Sequence, residues 1–153
     1  YTFTPSEQLG FDIFNNEQGD CFHCHGLATT GYQLGAHGLL QFTNNGLDSI
    51  YAVGAGREAV TGDPSDRGKF KVPSLRNVEY SYPYMHDGRF QTLAEVLDFY
   101  EMGGHPSPTL DPNMKAVGVG RNWSVAQKQG LLDFLKTFSD PAFLTDTSFT
   151  DPW

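Results

Sequence analysis

The sequence predicts an all-α domain whose short helices are joined by long loops that need an internal surface other than polypeptide to fold against. Three observations predict it. Helix-start signals stand near both ends and once between them. A long glycine-rich stretch separates the first two and carries few periodic apolar positions. Both cysteines of the chain fall in one short run, "GDCFHCHGL", residues 19–27. At 153 residues the chain is one domain's worth of material, and 1–153 is read as a single unit.

The elements follow in chain order. Thr4-Pro5-Ser6-Glu7 has the form of a capping box with Pro at the first helical position. Leu9 and Ile13 then fall one turn apart with Phe14 beside them, which predicts a helix over 5–15 ending at the Asn15-Asn16 pair. The stretch from Gly26 to Val72 reads as long ordered loops, with turns at Asn45-Gly46 and Gly62-Asp63-Pro64 and room for a short hairpin. Thr92 and Glu95 make a second box, opening a helix in which Leu93, Val96, Leu97 and Tyr100 share a face; Gly103 and Gly104 stop it, with Pro106 beyond. Ser124 with Gln127 makes a third box, leading into Leu131, Phe134, Leu135 and Phe138 at helical spacing and a helix of about 124–138. Gly10 and Gly130 either mark the contact of two closely crossing terminal helices or merely weaken them.

Composition sets outer limits. A formal charge of -8 argues against nucleic acid or an anionic membrane as partner. No apolar run approaches the roughly 20 residues that span a bilayer. No signal peptide is visible, and a start at Tyr1 reads as a mature, trimmed or partial sequence. Twelve Phe, seven Tyr and two Trp suit a large flat cofactor, and equally an ordinary aromatic core.

Three chemistries compete for Cys21-Phe22-His23-Cys24-His25. Structural zinc takes four ligands, and the remaining histidines, His37, His86 and His105, offer no second ligand pair at zinc spacing. A thioredoxin-like dithiol needs a strand before the motif, whereas "TPSEQLGFDIFNNEQGD" reads as a helix running into a loop. Cys-x-x-Cys-His is the signal for c-type haem attachment: two thiols three positions apart reach two vinyl groups of one porphyrin, and the adjacent His coordinates the iron. Cys21 and Cys24 are therefore assigned to thioether bonds, His25 to an axial position and His23 to a solvent-facing spacer. The glycine-rich loops then have a surface to wrap, and the fold expected is cytochrome c-like. Attachment of this kind follows export, which places the protein outside the bacterial cytoplasm. For the sixth ligand the chain offers Met85, Met102 and Met114, the remaining histidines and several tyrosines. Spacing alone turns Tyr100 inward, where a tyrosine is ordinarily a core residue, and sets Met102 on another face.

The run "GKFKVPSLRNVEYSYPYMHDGRFQTLAEVLDFYEMGG", residues 68–104, taken with the haem motif and the ending "FLTDTSFTDPW", resembles the bacterial dihaem cytochrome c peroxidase/MauG family. The match is to the C-terminal, electron-transfer half; the family's second Cys-x-x-Cys-His lies in an N-terminal domain where peroxide reacts, and this chain carries one motif. The resemblance implies one covalent haem c on Cys21, Cys24 and His25. Tyr100 falls where peroxidases place an axial Met and MauG-type members an axial Tyr, which makes it first choice for the sixth ligand, with Met102 second and Met85 third. His86 of "PYMHDG" matches a position near the haem edge, with a turn-stabilising role as the alternative. Arg76 of "SLRN", with Lys71 nearby, is assigned to a haem propionate, since Arg pairs bidentately with a carboxylate. Ser81 and Pro83 align with carbonyls that hold a calcium ion between the family's two domains, the partnering Asn belonging to the other domain. The implied function is the electron-input half of a peroxidase- or MauG-type enzyme. It would take electrons from a small periplasmic donor and relay them to a peroxide-reacting haem on a second domain or chain. The alternative is a free-standing monohaem cytochrome, or a one-haem subunit of a larger redox complex. No residue is assigned to catalysis.

Overall fold

The structure is a computed structural model that describes residues 1–26, 41–52 and 55–149. His37 and part of the long loop prediction lie outside the described residues, as do the last four residues of the ending. In chain order the elements are α1 (Pro5–Phe14), α2 (Phe22–His25), β1 (Phe42–Thr43), α3 (Glu58–Thr61), β2 (Phe70–Lys71), α4 (Leu93–Met102), α5 (Val125–Lys136) and α6 (Pro141–Thr145). Short 3-10 turns cover Pro64–Asp66, Val78–Tyr80 and Thr147–Phe149.

All three capping boxes form. At Thr4/Glu7, Thr92/Glu95 and Ser124/Gln127 the cap side chain accepts from the third backbone N–H, and the acid or amide returns to the cap's own N–H. Gly103 ends α4 in the left-handed region at φ 94°. On α4, Leu93 and Leu97 are buried as their spacing predicts, and so is Phe99, so the helix is covered on more than one side.

The prediction of an all-α fold needs one correction. β1 and β2 pair antiparallel, Phe42 opposite Lys71 and Thr43 opposite Phe70, and the Val72 N–H extends the ladder to the Gln41 carbonyl at 3.0 Å. These two extended segments close the base of the loop between them, pairing backbone groups that would otherwise lack partners. The loop between them is also not structureless: α3 sits in it, with buried Glu58 held by both nitrogens of a fork from Arg67 at 2.8 Å.

The core is built where α1 crosses α5. Ile13 and Phe14 of α1 meet Leu131, Phe134 and Leu135 of α5, joined by Leu93 and Leu97 of α4 and by Trp123. Phe134 stands edge-on to Phe3, Phe11, Phe14 and Phe138. Gly10 and Gly130 are the point of closest approach. A Cβ built on Gly10 would overlap the Gly130 carbonyl, and one on Gly130 would lie 3.0 Å from the Ser6 oxygen and 3.1 Å from the Gly10 nitrogen. Ser6 also donates to Asp133 at 2.6 Å across the same crossing. Lys128 of α5 pairs with Asp98 and Glu101, which ties α4 to the pair. Among the described residues no helix is long and apolar enough to cross a membrane.

Gly10→Ala forces two backbones apart and is expected to cost roughly 3 kcal/mol. Urea unfolding should show the midpoint falling with the slope unchanged; an unaltered midpoint would contradict the crossing.

Candidate functional site

The motif is aimed by the chain reversal that follows α1. Gly19 turns back over the last turn of that helix, where a Cβ would overlap the Ile13 carbonyl, and Asp20 takes φ 59°. Cys21 then opens the single turn α2: the His25 and Cys24 N–H groups donate to the Cys21 carbonyl at 2.9 and 3.2 Å, and Gly26 closes the turn at φ 53°. Both cysteines are free and partly buried, and Cys21 packs against the core. Burial pushes the Cys21 thiol up to about 12 and the Cys24 thiol to about 11. Burial also holds His25 down at about 4, against the raising effect of the Pro73 carbonyl, so its imidazole is neutral at pH 7 and free to ligate.

Tyr100, on the last turns of α4, reaches this place. Burial raises its hydroxyl to about 12; the Asn45 amide opposes the rise, and charge on either Cys24 or Cys21 would add to it. The phenol therefore lies within electrostatic range of both thiols. Asn45 Nδ2 donates to Tyr100 Oη at 3.1 Å and lies 3.7 Å from Met85 Sδ. Met85 itself sits at φ 70°. Met102, by contrast, is about half exposed at the end of α4.

The remaining predicted residues stand elsewhere. Arg76 pairs with Asp140 at 2.9 Å and lies over the Phe143 ring, with most of its side chain in solvent. Lys71 reaches the Val72 carbonyl at 3.3 Å. His86 is exposed and stacks on Phe70 of β2 at 4.0 Å between ring centres. Ser81 and Pro83 are exposed in the segment after the Val78–Tyr80 turn. His23 is not a bare spacer: its Nε2 lies 3.1 Å from Asp20 and 3.4 Å from Glu17, and its ring stacks on Phe22. Those three side chains could bracket a metal ion, but Lys115 already reaches both carboxylates, at 2.6 Å from Glu17 and 3.4 Å from Asp20.

Three residues that organise the site carry weak sequence signals. Asn44 is fully buried; it donates to Ser107 and Thr109 and accepts from the Gly46 N–H and the Tyr51 hydroxyl. Its neighbour Asn45 presents the amide to Tyr100. Arg121, whose side chain is 7 % exposed, lies 3.8 Å from buried Asp20, and its charge acts on both Cys21 and Tyr100. Its Nε is buried with no hydrogen-bond partner among the described residues. Asn-Gly signals only a turn, and an isolated Arg before a helix signals a surface.

The donor set fits a covalently held haem. Two unbonded thiols on one helical turn and a neutral buried imidazole beside them offer thioether attachment and a nitrogen donor, and the buried Tyr100 phenol offers an oxygen donor from a separate part of the chain.

No family model matches the chain. Among individual proteins it is 32% identical to cytochrome-c peroxidase IdrP1 of Pseudomonas sp. strain SCT over 156 residues, covering 88% of this chain and 40% of that protein. It is 40% identical to cytochrome-c peroxidase IdrP2 of Denitromonas iodatirespirans, over 89% of this chain and 40% of the relative. It is 34% identical to the methylamine utilization protein MauG of Methylorubrum extorquens, over 89% of this chain and 35% of the relative. The crystal structure of a MauG-like protein associated with microbial copper homeostasis superposes with a TM-score of 0.81 at 35% identity, over 99% of this chain and 52% of that one. The chain thus spans about two fifths of the length of these curated relatives.

Asn44→Ala leaves four polar groups without their partner and is expected to cost about 3 kcal/mol. Amide exchange should speed up at Gly46, His105 and Asp111, whose N–H groups are held by this turn, before it does in α1 and α5.

Proposed function

Since the chain belongs to the cytochrome c peroxidase/MauG family over the part of those proteins that it spans, we propose that it is a c-type haem electron-transfer domain, the electron-input half of a two-haem enzyme. It passes electrons to a peroxide-reacting haem on another domain or a partner chain. The observation that supports this reading is the Cys21–Cys24–His25 turn, with both thiols free and His25 buried, and Tyr100 buried within electrostatic range of those thiols. When bound, the haem supplies one-electron redox chemistry; the protein fixes its ligands, excludes water and sets its potential.

Each residue has a part in that. Cys21 and Cys24 would anchor the group on α2, and His25, neutral at pH 7, would hold its iron through an imidazole nitrogen. Tyr100 would be the second iron ligand, a hard anionic oxygen that favours ferric iron and gives a lower potential than Met would. Arg121 opposes it: a buried positive charge near the iron favours the reduced state. The burial of Arg121 supports it over solvent-exposed Arg76 as the partner of a haem carboxylate. In the same reading His86 lies at the haem edge, and the carbonyls of Ser81 and Pro83 hold calcium against the second haem domain. The exposed rings of Tyr80 and Tyr82, which flank Ser81, support a docking face on that segment. The protein works in the periplasm or otherwise outside the cytoplasm, with a small electron-donor protein as its other partner.

The second reading is a monohaem carrier or one-haem subunit. Intact mass and haem count on the protein isolated from its source separate the two. A longer chain, or a bound second chain with another haem, supports the input half; a lone chain of 16.9 kDa plus one haem makes it a carrier.

Two variants test the ligands. With Cys21 and Cys24 both changed to Ala, haem should leave the chain under denaturing acid extraction, while the parent protein retains it. Tyr100→Phe should change the ferric absorption spectrum and raise the midpoint potential; an unchanged ferric spectrum removes Tyr100 from the iron.

A further inference from the structure

We propose that Asn45 is the residue that selects and tunes the tyrosine ligand, by donating its side-chain N–H to the oxygen of Tyr100 and leaving the neighbouring Met85 thioether the weaker claim. The inference rests on Tyr100 being an axial ligand and concerns what holds it there.

The geometry leaves little freedom in how the amide points. Asn45 Oδ1 accepts the Leu47 backbone N–H at 3.2 Å, a position only an oxygen can take, so Nδ2 is turned the other way, toward Tyr100 and Met85. The turn under it is fixed independently. Gly46 sits at φ 72°, donates to Asn44 Oδ1 at 2.9 Å, and accepts the His105 N–H at 2.7 Å. A Cβ on Gly46 would lie 2.7 Å from the His105 carbonyl oxygen, so the turn is closed tightly against the 105–111 loop. Asn44 binds that same loop through Ser107 and Thr109. Asn45 is thus a donor held on a rigid support rather than a side chain free to follow the phenol.

The two N–H bonds of the amide face unequal acceptors. A thioether sulfur is a weak acceptor, and the 3.7 Å contact to Met85 is correspondingly loose. An anionic phenolate oxygen makes a charge-assisted bond about twice as strong as a neutral one. The amide therefore lowers the energy of Tyr100 as a ligand more than that of Met85, although both lie within its reach. By drawing electron density from the ligating oxygen it also weakens donation to ferric iron and keeps the potential above that of an unassisted tyrosinate.

The test uses the haem-loaded full chain and three variants, Asn45→Leu, Asn45→Asp and Tyr100→Phe, each first shown to carry one covalent haem and parental far-ultraviolet circular dichroism. Asn45→Leu deletes the donor. Asn45→Asp keeps an oxygen for the Leu47 N–H, and so keeps the turn, while replacing the donor with a negative charge. The expected result is a lower midpoint potential and a red-shifted phenolate-to-iron charge-transfer band in Asn45→Leu, with a larger fall in potential in Asn45→Asp. If Asn45→Asp restores the parental potential and spectrum, Asn45 holds only the turn and the proposal is wrong. If Tyr100→Phe alters the spectrum and neither Asn45 variant alters spectrum or potential, the ligand assignment stands and the proposal fails. If Tyr100→Phe leaves the spectrum unchanged, the ligand reading fails and takes the proposal with it.

Discussion

Everything in this chain hangs from the place where two helix backbones touch. Gly10 and Gly130 let α1 and α5 approach with no side chain between them, and that approach brings Ile13 and Phe14 against Leu131, Phe134 and Leu135. The motif follows α1 by one tight reversal through Gly19 and Asp20, so the pose of α1 fixes where both cysteines lie. Tyr100 is positioned from the other side, because α4 is tied to α5 by Lys128. The two halves of the candidate site are therefore referred to a single crossing.

Beyond the crossing the means of holding the chain changes. The helices at the two ends are fixed by apolar surface; the loops between residues 41 and 111 add buried side-chain hydrogen bonds to the burial of Leu47, Tyr51 and Val72. Asn44 is the clearest case. Completely buried, it has each side-chain atom satisfied, and it joins β1, Tyr51 and the loop at 105–111 in one network. A buried amide with all its partners adds rigidity and specificity of position, and one with a missing partner costs more than it gave. Rigid loops matter here because one of them presents Asn45 to Tyr100.

Much of this was legible in the sequence, and the division follows sequence distance. Capping boxes are made of residues three apart, and all three were readable from Thr4, Thr92 and Ser124. The Cys-x-x-Cys-His turn is equally local. The glycine pair was readable as a candidate contact, but only the structure distinguishes a contact from a weak point. Asn44 and Asn45 were readable as a turn and nothing more, because their side chains act on residues 40 to 65 positions away. Arg121 and Asp20 were missed for the same reason: a charge before a helix looks like a surface charge until the loop that buries it is known. A short hairpin was allowed for in the glycine-rich stretch, but its strands could not be located, because two residues in each are too few to show alternation.

The Ser6–Asp133 hydrogen bond joins positions 127 apart in the chain, whereas the cysteines and His25 lie within five consecutive residues. Bringing the chain's ends together carries the entropy of closing a very long loop, which local turns do not face, and contacts of that separation form slowly. The motif turn and the enclosure around it consequently form as separate events in folding. The segment through Gly26 already holds both thiols and the His25 imidazole on a turn closed by its own hydrogen bonds. The apolar wall behind that turn exists only after α5 has docked on α1.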